Sequence, residues 1–272
     1  MAAATALADG ATPRTDCDES SADCVAVGRW TFSTALGAGV RTNPVLHGQD
    51  IPLVVVPQLG YFGKYFFLDN LDFGVTFVDS DRANLSLIAT PGYDRVFFYR
   101  SDLQNLFLSG FPNAASAAAP TLVSSDAPGA VPFPPRARRL TFLAGPEWTF
   151  KADLVTGQFD VLHEVTGRNH GTEVRAALAV PLVRSVNSLT ASLGLTWKSA
   201  AIVNYYYGAP GFYEAGSSTN PFVKLAYARR LGAHWSVDAF VHYESLGNAI
   251  ADSPIIVRDH VTTAFAGVTY RH

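Results

Sequence analysis

The sequence has few charged residues and no long hydrophobic run, and each shortage excludes a class of protein. Asp, Glu, Lys and Arg make up 16% of the 272 residues, against about 25% in an average soluble domain. The net charge is −3, and no basic cluster is interleaved with aromatic residues, which argues against a nucleic-acid partner. The longest apolar run, IPLVVVP, is far shorter than the ~18 to 20 residues of a membrane-spanning helix.

Cysteine is also scarce, since Cys17 and Cys24 are the only two and both lie near the N-terminus. They fall within residues 1–27, which are rich in Ala, Asp, Ser and Thr and which we interpret as a flexible segment. In an oxidising compartment the two thiols could close a small disulfide loop, and two unbonded thiols are the alternative. A metal site is not predicted, because a second pair of ligands is missing.

What the sequence does have is alternation of apolar and polar residues from Arg29 onward. In SLTASLGLTWK, residues 188–198, the apolar side chains fall on one face and Thr, Ser, Gly and Lys on the other. HWSVDAFVHYE, GTEVRAALAVPL and RLTFLAGPEWTFK repeat this pattern. Such segments are longer than typical soluble strands, which have a mode of about 5 to 6 residues. Their length suits a strand that crosses a bilayer at a tilt.

The connections alternate between short and long, as in outer-membrane β-barrels, which have short turns at one end and long loops at the other. We predict strands near 28–40, 51–67, 71–79, 84–93, 139–151, 157–166, 171–183, 188–198, 219–231, 234–245 and 261–271. Single-chain bacterial barrels have an even number of strands, so we place a further crossing in DRVFFYRSDLQNLFL, within residues 94–138. The prediction is an all-β, antiparallel transmembrane barrel of twelve strands over residues 28–272.

Two other folds remain open at this point. A barrel of ten strands would leave residues 94–138 entirely as a loop. A soluble β-sandwich or lipocalin-like barrel would also alternate, but its outer face would carry many charges. Here the polar faces are small and sparsely charged, and the apolar faces are continuous, which favours the membrane barrel. In that setting the segment 1–27 lies on the periplasmic side.

The alternation also assigns side chains to the two faces of the wall. Aromatic residues near strand ends predict a girdle at the membrane surfaces, formed by Trp30, Trp148, Trp197, Trp235, Tyr243 and Tyr270. The same levels are expected for Tyr205 to Tyr207. Charges of both signs are predicted to line the lumen: Glu147, Lys151, Glu173, Arg175, Lys198, Lys224, Asp238, His242 and Glu244. Mixed signs tend to pair and narrow a channel, whereas a ring of one sign would select ions.

One constellation resembles the site of a lipid-modifying barrel enzyme. His242, Glu244 and Ser245 occur together in FVHYESLGN, and a nucleophilic Ser needs a His within hydrogen-bond reach. Alternation places Ser245 on the opposite face from His242 or at the start of the loop. We therefore interpret His242 and Glu244 as part of a polar network in the lumen, and we predict no enzyme and no cofactor.

Two other patterns have simpler explanations than chemistry. HEVTGRNHG lacks the HExxH spacing of zinc proteases, so His163, Glu164 and His170 are interpreted as residues of a strand-to-loop junction. The glycines of ALGAGV, Gly37 and Gly39, lack the third glycine of a dinucleotide-binding loop. Close packing inside a barrel strand explains them better.

The C-terminal third carries a family resemblance. Tyr206–Tyr207–Gly208 and Tyr213 are followed by ARRLGAHW, by the loop LGNAIADSPII with Ser253–Pro254, and by a closing FAGVTYR. Together these pieces resemble the MipA/OmpV family of outer-membrane proteins. A glycine-rich opening, ALGAGVRTNPVLHGQDIPLVVVPQLGYFGKYFF, is also similar, so the resemblance covers about residues 30–270 and is strongest after residue 200.

The resemblance implies a barrel in the bacterial outer membrane, in contact with lipid and lipopolysaccharide. Some members are described as scaffolds that link a murein lytic transglycosylase to a murein synthase, so periplasmic murein enzymes are the expected partners. A narrow channel or solute-uptake pore is the alternative function, and a lipid-modifying enzyme is the third. The stretch TTAFAGVTYRH is expected to close the barrel against residues 28–40, with His272 at a position that such barrels usually give to Phe.

Overall fold

The computed structural model describes residues 27–80, 82–99 and 138–272 of the chain. Within these ranges, twelve antiparallel strands form a closed barrel in which each strand pairs with its neighbours along the chain and β12 pairs with β1. The strands are β1 (Trp30–Arg41), β2 (Ile51–Phe62), β3 (Phe66–Asp69), β4 (Asp72–Asp79), β5 (Ala83–Pro91), β6 (Phe142–Ala152), β7 (Val155–Glu164), β8 (Thr172–Arg184), β9 (Asn187–Lys198), β10 (Ser218–Arg230), β11 (Trp235–Ser245) and β12 (His260–Arg271).

Within the described residues, three short helices interrupt the long connections. A 3₁₀ helix spans Tyr93–Phe97, α1 spans Ala200–Tyr207 and α2 spans Asn248–Ala251. In the described part of the chain, no helix is both long and apolar enough to cross a membrane.

The prediction of a closed, twelve-stranded antiparallel barrel is confirmed, but the position of one strand was wrong. β5 pairs directly with β6, from Ala83 opposite Phe150 to Pro91 opposite Phe142, so no crossing lies between them. The start of the segment proposed for that crossing is instead the 3₁₀ helix, and residues 100–108 lie outside the described ranges. The additional strand comes from the predicted segment 51–67, which the structure divides into β2 and β3.

The two ends of the barrel differ in their connections. Short turns join β2 to β3, β6 to β7, β8 to β9 and β10 to β11 at the end where β1 begins and β12 finishes. Long connections join β1 to β2, β5 to β6, β9 to β10 and β11 to β12 at the other end. Because outer-membrane barrels keep short turns on the periplasmic side and long loops outside, the end with the termini of the barrel is the periplasmic end.

The closing strand shows how alternation separates the two faces. Phe265 and Thr263 point inward and are buried, whereas Val268 points outward and is exposed. The outward set continues through Ala264, Ala266 and Tyr270, as the sequence predicts, because a strand changes face at every residue. β12 pairs along its length with both β1 and β11, which leaves neither edge of β12 open.

Glycine allows the closing seam to pack tightly. A Cβ atom at Gly37 or Gly267 would collide with the backbone across the seam and with the ring of Phe265. The Phe265 side chain therefore lies over both glycines, where any larger residue would displace it. This contact accounts for the glycines of β1 that resemble a nucleotide-binding motif.

Exposed aromatic side chains surround the periplasmic end. The ring of Trp235 lies 4.8 Å from that of Tyr270, and the ring of Trp30 lies 5.0 Å from that of Tyr61. His272 joins this group, with its ring 4.8 Å from Tyr270. Trp148 contacts Phe150 at 5.0 Å on the same half of the wall. The other two members of the predicted girdle, Trp197 and Tyr243, lie near the outer ends of β9 and β11.

Candidate functional site: a plugged lumen

The outer half of the lumen is filled by a plug, which we define as the 3₁₀ helix, α1 with residues 208–215, and α2 with residues 246–256. The plug packs on inward side chains of the wall such as Leu162 and Val261. Its centre is fully buried, with Tyr207 1%, Val203 0% and Ile250 0% exposed. Replacing buried aromatic or aliphatic side chains of this size by Ala typically costs about 2–5 kcal/mol each, so the plug is firmly held.

The plug also corrects one sequence expectation. Tyr205, Tyr206 and Tyr207 do not lie in the aromatic girdle, because all three are on α1 and buried inside the lumen. The rings of Tyr205 and Tyr206 pack edge to face, with centroids 4.9 Å apart. An eight-residue helix inside a loop leaves too short a periodic signal to be read from the sequence.

The segments that carried the family resemblance contact each other in the plug. The hydroxyl of Ser253 donates a hydrogen bond to the Tyr207 carbonyl at 2.6 Å. The hydroxyl of Tyr213 donates to the carbonyl of Ala249 at 3.0 Å. These two bonds fasten α1 and the segment that follows it to the loop that holds α2, so the residues that carry the family resemblance here form part of the plug.

Asp94 connects the plug to the wall. Its Oδ1 accepts hydrogen bonds from the Lys198 ammonium at 2.6 Å and from the Tyr207 hydroxyl at 2.7 Å. Burial, reinforced by the Asp94 charge, raises the pKa of Tyr207 well above its usual value, so this hydroxyl remains a proton donor. Sequence reasoning placed Lys198 in the lumen but missed Asp94, because its segment was assigned to a strand.

A belt of acidic and basic side chains runs along the inner face of the wall on one side of the barrel. The register aligns Glu147 with Asp160, and Asp160 with Arg175, on the inner faces of β6, β7 and β8. The Gln158 amide donates to Glu147 at 2.8 Å and to Asp160 at 3.0 Å. Arg175 Nε donates to Glu173 Oε1 at 2.6 Å. Arg175 thus forms an ion pair with Glu173, whereas Glu147 and Asp160 share hydrogen bonds from the neutral Gln158 amide.

The remaining predicted lumen residues lie elsewhere on the inner face. Lys224 and His242 are directly opposite each other on β10 and β11. Glu244 accepts a hydrogen bond from Asn220 at 2.9 Å, and Asp238 accepts one from the Ser236 hydroxyl at 2.7 Å. Lys151 lies apart from all of these, exposed at the periplasmic rim. The structure therefore brings the nine residues into several small groups rather than one site.

Two potential catalytic groupings are separated by the fold. The register pairs His242 with Thr263 and Ser245 with His260, which puts His242 and Ser245 on opposite faces of the wall. His163 lies on the outward face of β7 and contacts Thr172. Glu164, beside it, accepts hydrogen bonds from the backbone N–H groups of Thr166, Arg168, Asn169 and His170. Glu164 thus holds the outer loop that follows β7. The described residues contain no cluster of potential metal ligands.

A closed antiparallel wall with an apolar outer face, short turns at one end and long loops at the other defines an outer-membrane β-barrel. A family model described as MltA-interacting protein MipA matches residues 36–272. The chain therefore belongs to this family, as its sequence motifs predict, and its location is the bacterial outer membrane.

Two relatives extend this comparison. YiaT of Escherichia coli (strain K12), named as an outer membrane protein, is 22% identical over 247 residues, which cover 87% of this chain and 90% of YiaT. The MltA-interacting protein of the same organism is 26% identical over 93 residues, or 31% of this chain and 38% of that protein. Among solved structures, OmpT of Vibrio cholerae is 10% identical, with a TM-score of 0.33, and the match covers 89% of this chain and 97% of that one.

Proposed function

We propose that this protein is an interaction or scaffold protein of the outer membrane, which acts through its periplasmic surface rather than through a channel. The observation that carries the proposal is the plug, whose central side chains Tyr207, Val203 and Ile250 are almost completely buried in the outer half of the lumen. A solute cannot pass through a region packed at the density of a protein core. This argument disfavours the alternative of a pore.

Catalysis is not part of the proposal. The register places Ser245 and His242 on opposite faces of the wall, so these two residues cannot act together as nucleophile and base. The family and the fold are those of outer-membrane barrels and interaction proteins. We therefore expect unchanged lipid A and phospholipid profiles when His242 is replaced by Ala.

The periplasmic rim supplies a surface for a partner. Exposed basic side chains surround it: Arg29, Lys64, Arg82, Lys151, Arg184, Arg229 and Arg271. The described acidic side chains on the same rim are Asp79 and Asp153. Such an excess of one sign attracts an acidic surface and speeds its association. The relative named MltA-interacting protein supports a murein lytic enzyme as the partner, and the exposed apolar wall is expected to contact lipid and lipopolysaccharide.

A capture experiment tests the scaffold role. The full chain, refolded in detergent, is immobilised and exposed to a purified periplasmic murein lytic transglycosylase at low and at physiological salt. We expect retention that weakens as salt rises, because surface charges are screened over about 8 Å at 0.15 M. Absence of retention at either salt concentration would refute the proposed partner.

Charge reversal locates the surface. Arg184 and Arg229 flank adjacent turns on the periplasmic rim, since their pairing partners Ser188 and Asn187 are neighbours on β9. Changing both to Glu should weaken retention about tenfold or more, as expected when like charges replace a complementary contact. The matched control is Arg168→Glu on an outer loop, which should retain the enzyme as the original protein does.

A further inference from the structure

Residues 1–26, which precede the described part of the chain, are strongly acidic. They contain five acidic residues and one basic residue, which gives them a net charge of −4, while the whole chain carries −3. Four of the five acids fall close together: Asp16, Asp18, Glu19 and Asp23. We call residues 16–23 the acidic segment.

The first described residues place the start of this part of the chain at the periplasmic rim. Val27 is 66% exposed, and Gly28 turns the chain at the start of β1 in a left-handed conformation, with φ +77°. The Gly28 N–H donates a hydrogen bond to the Phe62 carbonyl at 2.6 Å. The chain that precedes Val27 therefore begins beside the β2–β3 turn, which carries Lys64.

The same rim carries more positive charge than its own acids balance. We call the seven exposed basic side chains named above the basic rim, and the described acids among them are Asp79 and Asp153. The ion pairs within the described ranges all lie elsewhere: they are Arg175–Glu173, Lys198–Asp94, Arg258–Asp50 and His260–Asp259. A surface with such an excess of charge attracts a segment of the opposite sign.

The acidic segment is long enough to reach the basic rim well beyond its point of attachment. An extended chain spans about 3.3–3.6 Å per residue, so Asp16, eleven residues before Val27, reaches as far as about 40 Å. Arg184 and Arg229 flank β9, four strands from β1 in the barrel. At about 4.8 Å per strand this separation is roughly 20 Å.

We propose that the acidic segment binds across the basic rim of its own barrel and screens the rim from other acidic surfaces. Because the segment is tethered, its effective concentration is on the order of millimolar, so a contact with a Kd of about 1 mM is occupied half of the time. An acidic partner that binds the rim has to displace the segment, and this last step rests on the proposed scaffold function.

Distances between two spin labels test the docking in the full chain, refolded in detergent. Cys17 and Cys24 are the only cysteines, so Cys24→Ser leaves one native thiol for a nitroxide. Ser185→Cys supplies the second label site, on the exposed β8–β9 turn. We expect a narrow distribution of distances at low salt that broadens at 1 M salt, where charges are screened within about 3 Å.

Charge changes on the rim provide the matched comparison. Arg184→Glu combined with Arg229→Glu should broaden the distribution of distances even at low salt, because the segment is then repelled. Arg168→Glu on the outer loop is the control and should leave the distribution narrow. Correct folding of each variant is checked by the shift in gel mobility between unheated and boiled samples.

Neutralising the acidic segment tests the same contact from the other side. This variant combines Asp16→Asn, Asp18→Asn, Glu19→Gln and Asp23→Asn. It should give a broad distribution of distances at low salt. In the capture experiment it should retain the murein lytic transglycosylase about twofold better than the original chain, as expected when a half-occupied rim is freed.

The two measurements separate this proposal from the scaffold role. A distribution of distances that neither salt nor the charge changes alter would overturn the docking of the acidic segment. Equal retention of the enzyme by the neutralised and original chains would overturn the competition. If neither chain retains the enzyme, the scaffold role fails instead, and the distances still decide whether the segment docks.

Discussion

The outer and periplasmic halves of the lumen are enclosed by the same strands but differ in what fills them. The outer half holds the buried aromatic and aliphatic side chains of the plug. In the periplasmic half the inner faces of β9 and β10 carry small side chains such as Ser188, Thr190, Ser192 and Ala228, each partly exposed. The strands thus determine which side chains point inward, and the long outer loops determine whether the space is filled.

The largest expected effect is a gain of ion conductance when a charge is placed in the outer half of the lumen, compared with the same charge in the periplasmic half. Ile250→Glu introduces a carboxylate into the packed plug, where an unpaired buried charge is strongly unfavourable. We expect the plug to detach and the barrel to conduct ions in planar bilayers. Thr190→Glu places the same group in the half that contains small, partly exposed side chains, and it should leave the conductance as in the original protein. Equal behaviour of the two variants would show that the two halves do not differ as described.

The ion pair between the plug and the wall should be the next most sensitive feature. Asp94→Asn leaves the buried Lys198 ammonium without its partner, and we expect a loss of about 3–5 kcal/mol in the free energy of unfolding. Combining Asp94→Asn with Lys198→Met should recover much of this loss, because no unpaired charge remains. Denaturant titration of the refolded barrel measures both, and an additive double variant would argue against direct pairing.

A smaller effect is expected from one hydroxyl of the plug. Tyr207→Phe removes the donor to Asp94 but keeps the ring, so the loss should be about 1.5–3 kcal/mol, as for hydrogen bonds to charged groups. The same titration measures it, with Tyr243→Phe on the outward face as the control. A loss as large for the control would mean that the Tyr207 hydroxyl has no special role.

The smallest effect concerns an outer loop and depends on pH. Asp50 contacts Arg258 at 2.5 Å; although burial opposes ionisation, the Asn43 backbone N–H and the Arg258 guanidinium together lower the pKa of Asp50. The contribution of Asp50 to the free energy of unfolding is therefore complete above the unfolded pKa of about 3.9. It is lost as the pH falls through the folded pKa. Because the pair is exposed, Asp50→Asn should cost less than about 1 kcal/mol at pH 7. Thermal unfolding should show this difference disappearing once the pH has fallen through the folded pKa of Asp50.

The strand wall could be predicted because lipid on one side and the lumen on the other impose a period of two residues. β12 shows this most clearly, from Thr263 and Phe265 inside to Val268 outside. The extra strand was misplaced because only three residues, 63–65, separate β2 from β3. Aromatic residues continue across that turn, from Tyr61 and Phe62 to Phe66 and Phe67, so the sequence reads as one long strand.

The plug was not predictable in the same way. Asp94, Tyr207 and Ile250 come from three separate connections, and their contact depends on how those loops fold into the barrel. Alternation carries no information about loops. The sequence motifs around Tyr207 and Ser253 carry the family resemblance, and a hydrogen bond joins these two residues in the plug. The motifs therefore mark residues of the plug, but they do not predict how the loops fold.

Single-channel recording of the original protein tests the central claim most directly. If the plug seals the outer half of the lumen, the refolded barrel inserted into a planar bilayer should show no steady conductance, while Ile250→Glu should open. Steady, reproducible openings of the original protein would contradict the account of a sealed barrel that acts through its periplasmic surface.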